Sequence, residues 1–290
     1  MTHVGRRNVL NIAGGLAATL AATRPSWAAT TLDLTDPVQS LLAFAKLTGN
    51  SAGGSVYRWH TGIISAVQPG AAPKALVAYD GLEKEVWLKS TDGGYTTAYF
   101  DIGYFKDVNS GARLAEWKNP LTDEVVKVLP FRSGRFAATL KPGTPNREWQ
   151  QRGDDVWVIA RPTVAFPALL KPEQYPAESA GPLHYFSVIR TDRGQLSDLS
   201  RPEVTSAPLA WSYTLTTVWL PWMRMAQRPG SIVWAGTGGK YASVDDIPAS
   251  FKEFLASEQP DYLTATEPWP DVRNMWGDFM KLHPPAAKAP

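Results

Sequence analysis

Hydrophobic and polar residues alternate along most of the chain, and helical spacing is confined to its two ends. Four apolar residues at helical spacing follow Asp36 and Pro37: Val38, Leu41, Leu42 and Ala45. Asp is a favourable N-cap, Pro suits the first helical turn, and Gly49 lies where a glycine would end a helix. The pattern predicts a helix between Asp36 and Gly49.

Between residues 55 and 236, about ten segments alternate with the period of two that is typical of β-strands. Gly, Pro, Asn and Asp separate them, and no long helical pattern intervenes. Such strands predict an antiparallel sheet that folds back on itself. Two stripes, at residues 247–255 and 272–279, predict two C-terminal helices. The predicted fold is mainly β: a large antiparallel, barrel-like sheet, analogous to calycin-type barrels, with an N-terminal helix and two C-terminal helices.

Glycines divide several of these segments. AGTGGK, residues 235–240, resembles a phosphate-binding loop, but Trp234 and Tyr241 stand where G-x-x-x-x-G-K-[ST] requires Gly and Ser or Thr. A hairpin turn explains the glycines better, because glycine tolerates the positive φ of such turns. Gly81 likewise separates two predicted strands, KALVAYDG and EKEVWLKS.

The first 28 residues have the pattern of an export signal. Arg6 and Arg7 precede a short apolar run, and residues 26–28 fit a small-x-small cleavage site. Paired arginines favour the twin-arginine export machinery as a partner, with an ordinary Sec signal as the alternative. Because the run is too short to span a bilayer, we expect a periplasmic or secreted protein without membrane insertion. The expected organisation is a cleaved signal at 1–28, a single domain at 29–282 and a flexible tail at 283–290.

Removal of this signal changes the net charge. It takes away three arginines and no acid, so Lys+Arg falls from 29 to 26 against 27 Asp+Glu, and the net charge moves from +2 to −1. Such a chain lacks the positive charge that recruits nucleic acid. The chain also has no cysteine, so we expect the fold to rest on its core without disulfides.

Few residues suit metal or nucleophilic chemistry. His60, His184 and His283 are far apart in sequence and there is no cysteine, so we expect no metal and no cofactor. The segment GNSAG around Ser51 matches the G-x-S-x-G nucleophile motif. It follows a predicted helix and precedes a strand, which is the reverse of the order that this motif requires.

Strand alternation gathers better candidates. Arg58 and His60 share one face of their strand, as do Tyr99 and Asp101 on theirs, and a histidine near an acid can perform acid–base catalysis. The candidate catalytic residues are His184, His60, Asp101 and Arg58. The candidate ligand-binding residues are Trp211, Tyr213, Trp219, Trp222, Met223, Tyr99 and Arg224. The alternation does not establish which faces point inward, so an ordinary core with a polar outer face is the alternative.

The segment WLPWMRM, residues 219–225, cannot continue a strand, because Pro221 lacks a backbone donor and Pro229-Gly230 favours a turn. Its Trp and Met residues predict an aromatic and sulfur cluster at one end of the sheet. Two interpretations stay open. The cluster is either a pocket wall with Arg224 or Arg228 at the rim, or a hydrophobic plug.

Several motifs resemble an exported bacterial family known as domain of unknown function 1838. The segment SGARLAEWKNPLTDEVVKVLPF, residues 110–131, is similar to its W-x-NP-containing segment. WLPWMRMAQRPG is similar to its PWM-x-M…RPG segment, and QPDYLTATEP to its C-terminal region. Asp123 stands where the family tends to have glycine. The resemblance implies export and a single domain, and it carries no established activity.

The leading functional hypothesis is a protein that binds an apolar or aromatic small molecule in a Trp- and Tyr-lined cavity. A cofactor-independent lyase or isomerase step is an extension of it. The alternatives are a carbohydrate-binding protein that stacks exposed Trp and Tyr on sugars, and a purely structural envelope protein.

Overall fold

The computed structural model describes residues 32–260, 262 and 274–285. The predicted signal at 1–28 lies outside these residues, as does the part of the predicted tail at 286–290. Within the described ranges, no helix combines the length and the apolar character needed to cross a membrane.

Three helices lie near the ends of the described chain, and one short helix lies in its interior. They are α1 (Pro37–Thr48), α2 (Leu196–Ser200), α3 (Ala249–Glu258) and α4 (Met275–Leu282). Asp36 Oδ1 accepts hydrogen bonds from the amides of Val38 and Gln39, and the amide of Gly49 donates to Ala45 O. The N-terminal helix is therefore confirmed with both of its predicted caps, and α3 and α4 confirm the two C-terminal helices.

Strands make up most of the remainder. They are β1 (Gly54–Val67), β2 (Lys74–Lys89), β3 (Tyr95–Lys106), β4 (Glu116–Lys118), β5 (Val125–Lys127), β6 (Phe131–Arg132), β7 (Phe136–Leu140), β8 (Trp149–Arg152), β9 (Asp155–Ala160), β10 (Thr163–Pro167), β11 (Leu183–Gln195), β12 (Ala210–Thr217) and β13 (Ser231–Tyr241). β4 and β5 pair with each other, and the others form one antiparallel sheet in the order β6-β3-β2-β1-β13-β12-β11-β9-β8. β10 pairs with β11, and β7 pairs with β3. The prediction of a mainly β fold with one large antiparallel sheet is confirmed.

The sheet is strongly curled. Between the described strands, hydrogen-bond pairing does not join β6 or β7 to β8, so the ladder is not a closed ring. Arg190 on β11 nevertheless lies 3.8 Å from Glu83 on β2, four positions away in the strand order. In a flat sheet those strands would be about 19 Å apart. The curl therefore brings distant strands together over one concave face.

Apolar residues pack at both ends of this concave face. At one end, Leu41 and Ala45 of α1 pack against Val56, Trp87 and Tyr95. At the other end, the largest core cluster contains Phe105, Trp117, Trp222, Trp234 and α4 residues such as Trp276. Polar and charged side chains occupy the region between these two apolar ends.

Two predictions about glycine were wrong. Gly81 lies inside β2, which runs unbroken for 16 residues, and the glycines at 236–239 lie inside β13, which runs unbroken for 11. There is no hairpin turn at residues 235–240. Gly81, Gly236 and Gly238 face neighbouring aromatic rings, and a strand uses glycine where another group approaches its backbone closely.

Candidate functional site inside the curled sheet

Six of the predicted site residues line the concave face. Arg58 and His60 lie on β1, Tyr99 and Asp101 on β3, and Trp211 and Tyr213 on β12. Their strands are neighbours or near neighbours in the sheet order, and strand alternation points all six side chains inward. The structure therefore brings together groups that are up to about 150 residues apart in sequence.

A chain of hydrogen-bonding groups runs through the middle of this face. His60 Nε2 lies 3.1 Å from Asp101 Oδ1, and His60 Nδ1 lies 3.2 Å from the Tyr213 hydroxyl. The Tyr213 hydroxyl lies 2.6 Å from the Tyr79 hydroxyl. His60 is 2% exposed and Tyr79 is fully buried, whereas the Asp101 side chain is 18% exposed. Of the four groups, Asp101 offers the carboxylate that a small molecule can reach.

The chemistry of these groups determines which of them donates each hydrogen bond. When Asp101 is ionised it only accepts, so His60 Nε2 carries the proton and His60 Nδ1 is the acceptor. The Tyr213 hydroxyl then donates to His60 Nδ1, and the Tyr79 hydroxyl donates to the Tyr213 oxygen. One oxygen of Asp101 is bound in this way, and Oδ2 has no hydrogen-bond partner among the described residues.

Burial changes the acidity of these groups. Burial raises the pKa of the Asp101 carboxyl above its usual value, although His60 opposes the shift. Burial also raises the pKa values of the Tyr79 and Tyr213 hydroxyls, so both stay protonated and remain donors at neutral pH. A carboxylate with a raised pKa beside a fixed imidazole suits proton abstraction near neutral pH.

An ionic network adjoins this chain toward helix α1. Arg58 Nη2 lies 2.5 Å from Glu83 Oε2 and 3.1 Å from Glu85 Oε2. Arg190 Nε donates to Asp192 Oδ1 at 2.8 Å, and the Arg190 guanidinium stacks over the Trp211 ring at 4.3 Å. Arg58, both glutamates and Asp192 are buried.

The network is charged but incompletely hydrogen-bonded. Burial alone would lower the pKa of Arg58, but the carboxylates of Glu83 and Glu85 reverse the shift and hold that pKa above its usual value. Five buried polar atoms of this region have no hydrogen bond: Arg58 Nε, Glu83 Oε2, Glu85 Oε2, Arg190 Nη2 and Trp211 Nε1. A buried polar atom without a hydrogen bond lowers the free energy of unfolding, so its retention makes the region a candidate for function.

Glycines make room for the rings of the site. A Cβ at Gly81 would lie 2.4 Å from the His60 ring, and a Cβ at Gly236 would lie 2.3 Å from the Tyr79 hydroxyl. Both distances are far below van der Waals contact. The strands therefore carry glycine where the His60 ring and the Tyr79 hydroxyl come close to the backbone.

His184 is separated from the other predicted catalytic residues. Its ring contacts Phe166 and Trp276, with ring centroids 5.7 and 4.9 Å away. Burial lowers its pKa to about 4, and Nδ1 has no hydrogen bond. The structure places His184 in an apolar packing site rather than beside His60 and Asp101.

Trp219, Trp222 and Met223 belong to the hydrophobic core at the end of the sheet opposite α1. All three are buried, and Trp222 packs on Phe105 and Trp117. Residues 221–223 form a 3₁₀ turn. Because Trp219, Trp222 and Met223 are buried, the structure favours the plug over the pocket wall. Arg224 caps this turn on the surface, near Glu124 and Glu178, and is half exposed.

Sequence reasoning missed five members of the site: Tyr79, Glu83, Glu85, Arg190 and Asp192. The signal was present in the alternation. Tyr79, Glu83 and Glu85 share a face of β2, but only if the strand continues through Gly81. Arg190 and Asp192 share a face of β11 with His184. The predicted catalytic residue, His184, lies near one end of that strand, whereas the site lies near the other.

The described residues also line two surface cavities, of about 560 and 450 Å³. Both adjoin Tyr104 and Arg113 near the end of α3, and neither includes a predicted site residue. Among their charged side chains, Lys106 pairs with Asp80 and Arg113 with Glu258. We therefore take the concave face as the candidate site. In the part of the chain that the structure describes, no cluster of three or more metal-ligating residues is found.

Comparison with known proteins supports a family but no activity. No curated protein matches the sequence. Among solved structures, the crystal structure of Rv2717c from M. tuberculosis matches at 14% identity and a TM-score of 0.23, over 68% of this chain and 95% of that chain. A likeness this weak carries no argument about fold or function. Residues 53–282 match the model of a family described as a protein of unknown function, DUF1838. Since this match covers most of the chain, the protein belongs to the DUF1838 family.

Proposed function

We propose that this protein binds an apolar or aromatic small molecule on the concave face of its sheet and catalyses a cofactor-free lyase or isomerase step there. The observation that supports this proposal best is the hydrogen-bonded chain of Asp101, His60, Tyr213 and Tyr79. The two ring nitrogens of His60 are held by a phenol and by a carboxylate that is partly open to solvent. Positioned acid–base catalysis needs such an arrangement.

The burial of each group suggests its role. Asp101 is accessible and has a free oxygen, so it is the group that takes a proton from the substrate. His60 is buried and contacts Asp101 and Tyr213, so it is a positioning residue that donates to the carboxylate and fixes its orientation. The proton taken by Asp101 returns to another atom of the substrate in an isomerisation, or to the leaving group in an elimination.

Half-buried apolar residues extend the site. Phe186 and Val188 on β11 share the inward face with Arg190, and Leu215 on β12 is paired with Val188. These side chains supply an apolar wall beside the polar groups, as small-molecule sites commonly have. The carbohydrate alternative has less support, since every tryptophan at a described position is buried or half-buried.

The proposal is tested by substrate depletion. A small-molecule extract is incubated with wild type, and mass spectrometry identifies compounds that are consumed. We expect Asp101→Asn to lower the rate of consumption by at least about 10²-fold, because it removes the base. Tyr213→Phe should cause a smaller loss, and His184→Leu should retain the wild-type rate. Equal rates for wild type and Asp101→Asn would refute the proposal.

We also propose that residues 1–28 direct twin-arginine export, which would make the mature protein periplasmic or secreted. The proposal rests on the sequence pattern of this segment alone. Cell fractionation of the double variant Arg6→Lys, Arg7→Lys tests it: retention of this variant in the cytoplasm is expected, and unchanged export would contradict the twin-arginine route.

A further inference from the structure

The concave face carries more acidic than basic side chains. Its inward positions hold four carboxylates, Glu83, Glu85, Asp101 and Asp192, and two guanidiniums, Arg58 and Arg190. All six lie within one connected set of ion pairs and electrostatic contacts. A buried region with unbalanced charge is unfavourable unless another charge or a proton compensates it.

A third cationic side chain, Lys240 on β13, forms hydrogen bonds outside this set of ion pairs. Its amino group donates to the carbonyls of Lys46 and Gly49 at 2.7 and 2.8 Å, at the carboxyl end of α1. The partial negative charge of a helix C-terminus is the partner of this cation. Burial also lowers the pKa of Lys240 to about 7, so its charge is only partly present at neutral pH. The excess of carboxylates in the interior therefore remains.

The carboxylate oxygen that the protein leaves without a partner belongs to Asp101. Glu83 and Glu85 are buried, and the Oε2 atom of each is paired with the Arg58 guanidinium, at 2.5 and 3.1 Å. Asp101 uses one oxygen for His60, and its Oδ2 is free among the described residues. Asp101 is also the carboxylate of this set that is open to solvent.

We infer that the ligand of this site is a small organic monocation, a protonated amine on an apolar or aromatic body. Its ammonium group lies against the free oxygen of Asp101, and its body lies along Phe186, Val188 and Leu215. The ligand thus supplies the positive charge that the interior lacks. This inference rests on the proposed function in that both use Asp101 Oδ2: one lone pair of this oxygen accepts from the ammonium group, and the other takes the substrate proton.

Protons compete with such a ligand. Burial raises the pKa values of Asp101 and Glu85, so each takes up a proton more readily than a carboxyl group in water. The ionisable groups that interact with this set are His60 and Arg58 from β1, Tyr79 and Glu83 from β2, Tyr99 from β3, Arg190 and Asp192 from β11, Tyr213 from β12, Lys240 from β13, and Tyr262. Binding of a cation displaces the proton, so affinity rises as the pH rises from the acidic range toward neutrality.

Titration calorimetry on the full chain tests the inference with three matched probes: benzylamine, benzyl alcohol and benzoate. We expect benzylamine to bind about tenfold or more tightly than benzyl alcohol, and benzoate to bind most weakly. Measurements in buffers of different ionisation enthalpy should show proton release on benzylamine binding at acidic pH. Equal affinities, tighter binding of benzoate, or no binding of any probe would overturn the inference.

Variants separate this inference from the proposed function. Asp101→Asn should reduce the preference for benzylamine to about threefold or less, whereas Glu116→Gln, which removes an exposed carboxylate, should leave it unchanged. His60→Gln keeps the carboxylates and should keep the preference, although it should lose turnover. An amine preference with full turnover in His60→Gln would refute the catalytic role alone. Loss of turnover without an amine preference would refute the ligand class alone.

Discussion

His60 and His184 show how the surroundings of one residue type decide its chemistry. Both are buried on inward positions of strands, and sequence alone treats them alike. His60 lies between a carboxylate and a phenol, which hold both of its ring nitrogens. His184 lies between Phe166 and Trp276, where burial lowers its pKa to about 4 and holds the ring neutral.

The neutral state of His184 predicts a pH dependence of stability. The unfolded chain protonates this histidine below its usual pKa of 6.5, whereas the folded chain resists until about 4. The free energy of unfolding should therefore fall as the pH falls from 6.5 to 4, by roughly 2–3 kcal/mol from this group.

Urea unfolding of wild type and His184→Leu across this pH range isolates the contribution of this group from those of the carboxylates. The difference between the two proteins should narrow or reverse toward pH 4, because the variant has no histidine to protonate. Parallel pH profiles for the two proteins would show that His184 is not held neutral.

Strand β13 shows how an element can depend on groups contributed by distant strands. Its inner glycines lie against Tyr79, Tyr213 and Trp211, which come from β2 and β12. A Cβ at Gly238 would lie 2.3 Å from the carbonyl oxygen of Trp59 and 2.5 Å from Trp211 Nε1. At Gly239, which points to the other face, the nearest atom would be 3.5 Å away.

These adjacent positions give a matched pair of substitutions. Gly238→Ala should lower the free energy of unfolding by about 1–3 kcal/mol, because the backbone of β1 cannot move away without strain. Gly239→Ala should be neutral or stabilise by up to about 1 kcal/mol, since it restricts the unfolded chain. Chemical denaturation measures both variants. Equal effects of the two substitutions would mean that the close contacts at Gly238 do not decide its stability.

Local signals made α1 predictable, whereas β13 could not be predicted in the same way. The N-cap at Asp36, the proline after it and the stop at Gly49 act within one helix, so neighbouring residues in sequence suffice. The glycines of β13 have the same local appearance as a turn. Only the position of Tyr79, more than a hundred residues earlier in the chain, shows that they are interior residues of a strand.

The candidate site was partly predictable for a similar reason. Strand alternation placed Arg58 with His60, and Tyr99 with Asp101, on shared faces. It could not show that the two faces meet, because that depends on sheet order and curl. Glu83 and Arg190 were missed because their significance lies in a contact between β2 and β11.

The curl of the whole sheet brings Arg58, Glu83 and Arg190 together. Glu83 lies between the two guanidiniums, at 2.5 Å from Arg58 Nη2 and 3.8 Å from Arg190 Nη1. Both arginines lower the pKa of this glutamate, although burial opposes the shift. Removing its charge would take away the carboxylate that both guanidiniums share, leaving Arg58 with Glu85 and Arg190 with Asp192.

Glu83→Gln should therefore lower the free energy of unfolding by about 1–3 kcal/mol. The matched control is Glu148→Gln, which breaks the exposed pair with Arg161 and should change stability by less than about 1 kcal/mol. Both values come from urea unfolding at neutral pH. A loss below about 1 kcal/mol for Glu83→Gln would indicate that this carboxylate is not the shared partner of the two guanidiniums.

The contact between Glu83 and Arg190 also bears on the order of events in folding. Five strands, from β2 through β1, β13 and β12 to β11, must pair before these two side chains can meet. They are also 107 positions apart in the chain, and contacts of such long range form slowly because they close large loops. The ionic network is thus expected to lose its hydration late, once these five strands have paired. A nearly complete sheet would still have an unassembled site, so regain of binding should lag behind regain of secondary structure.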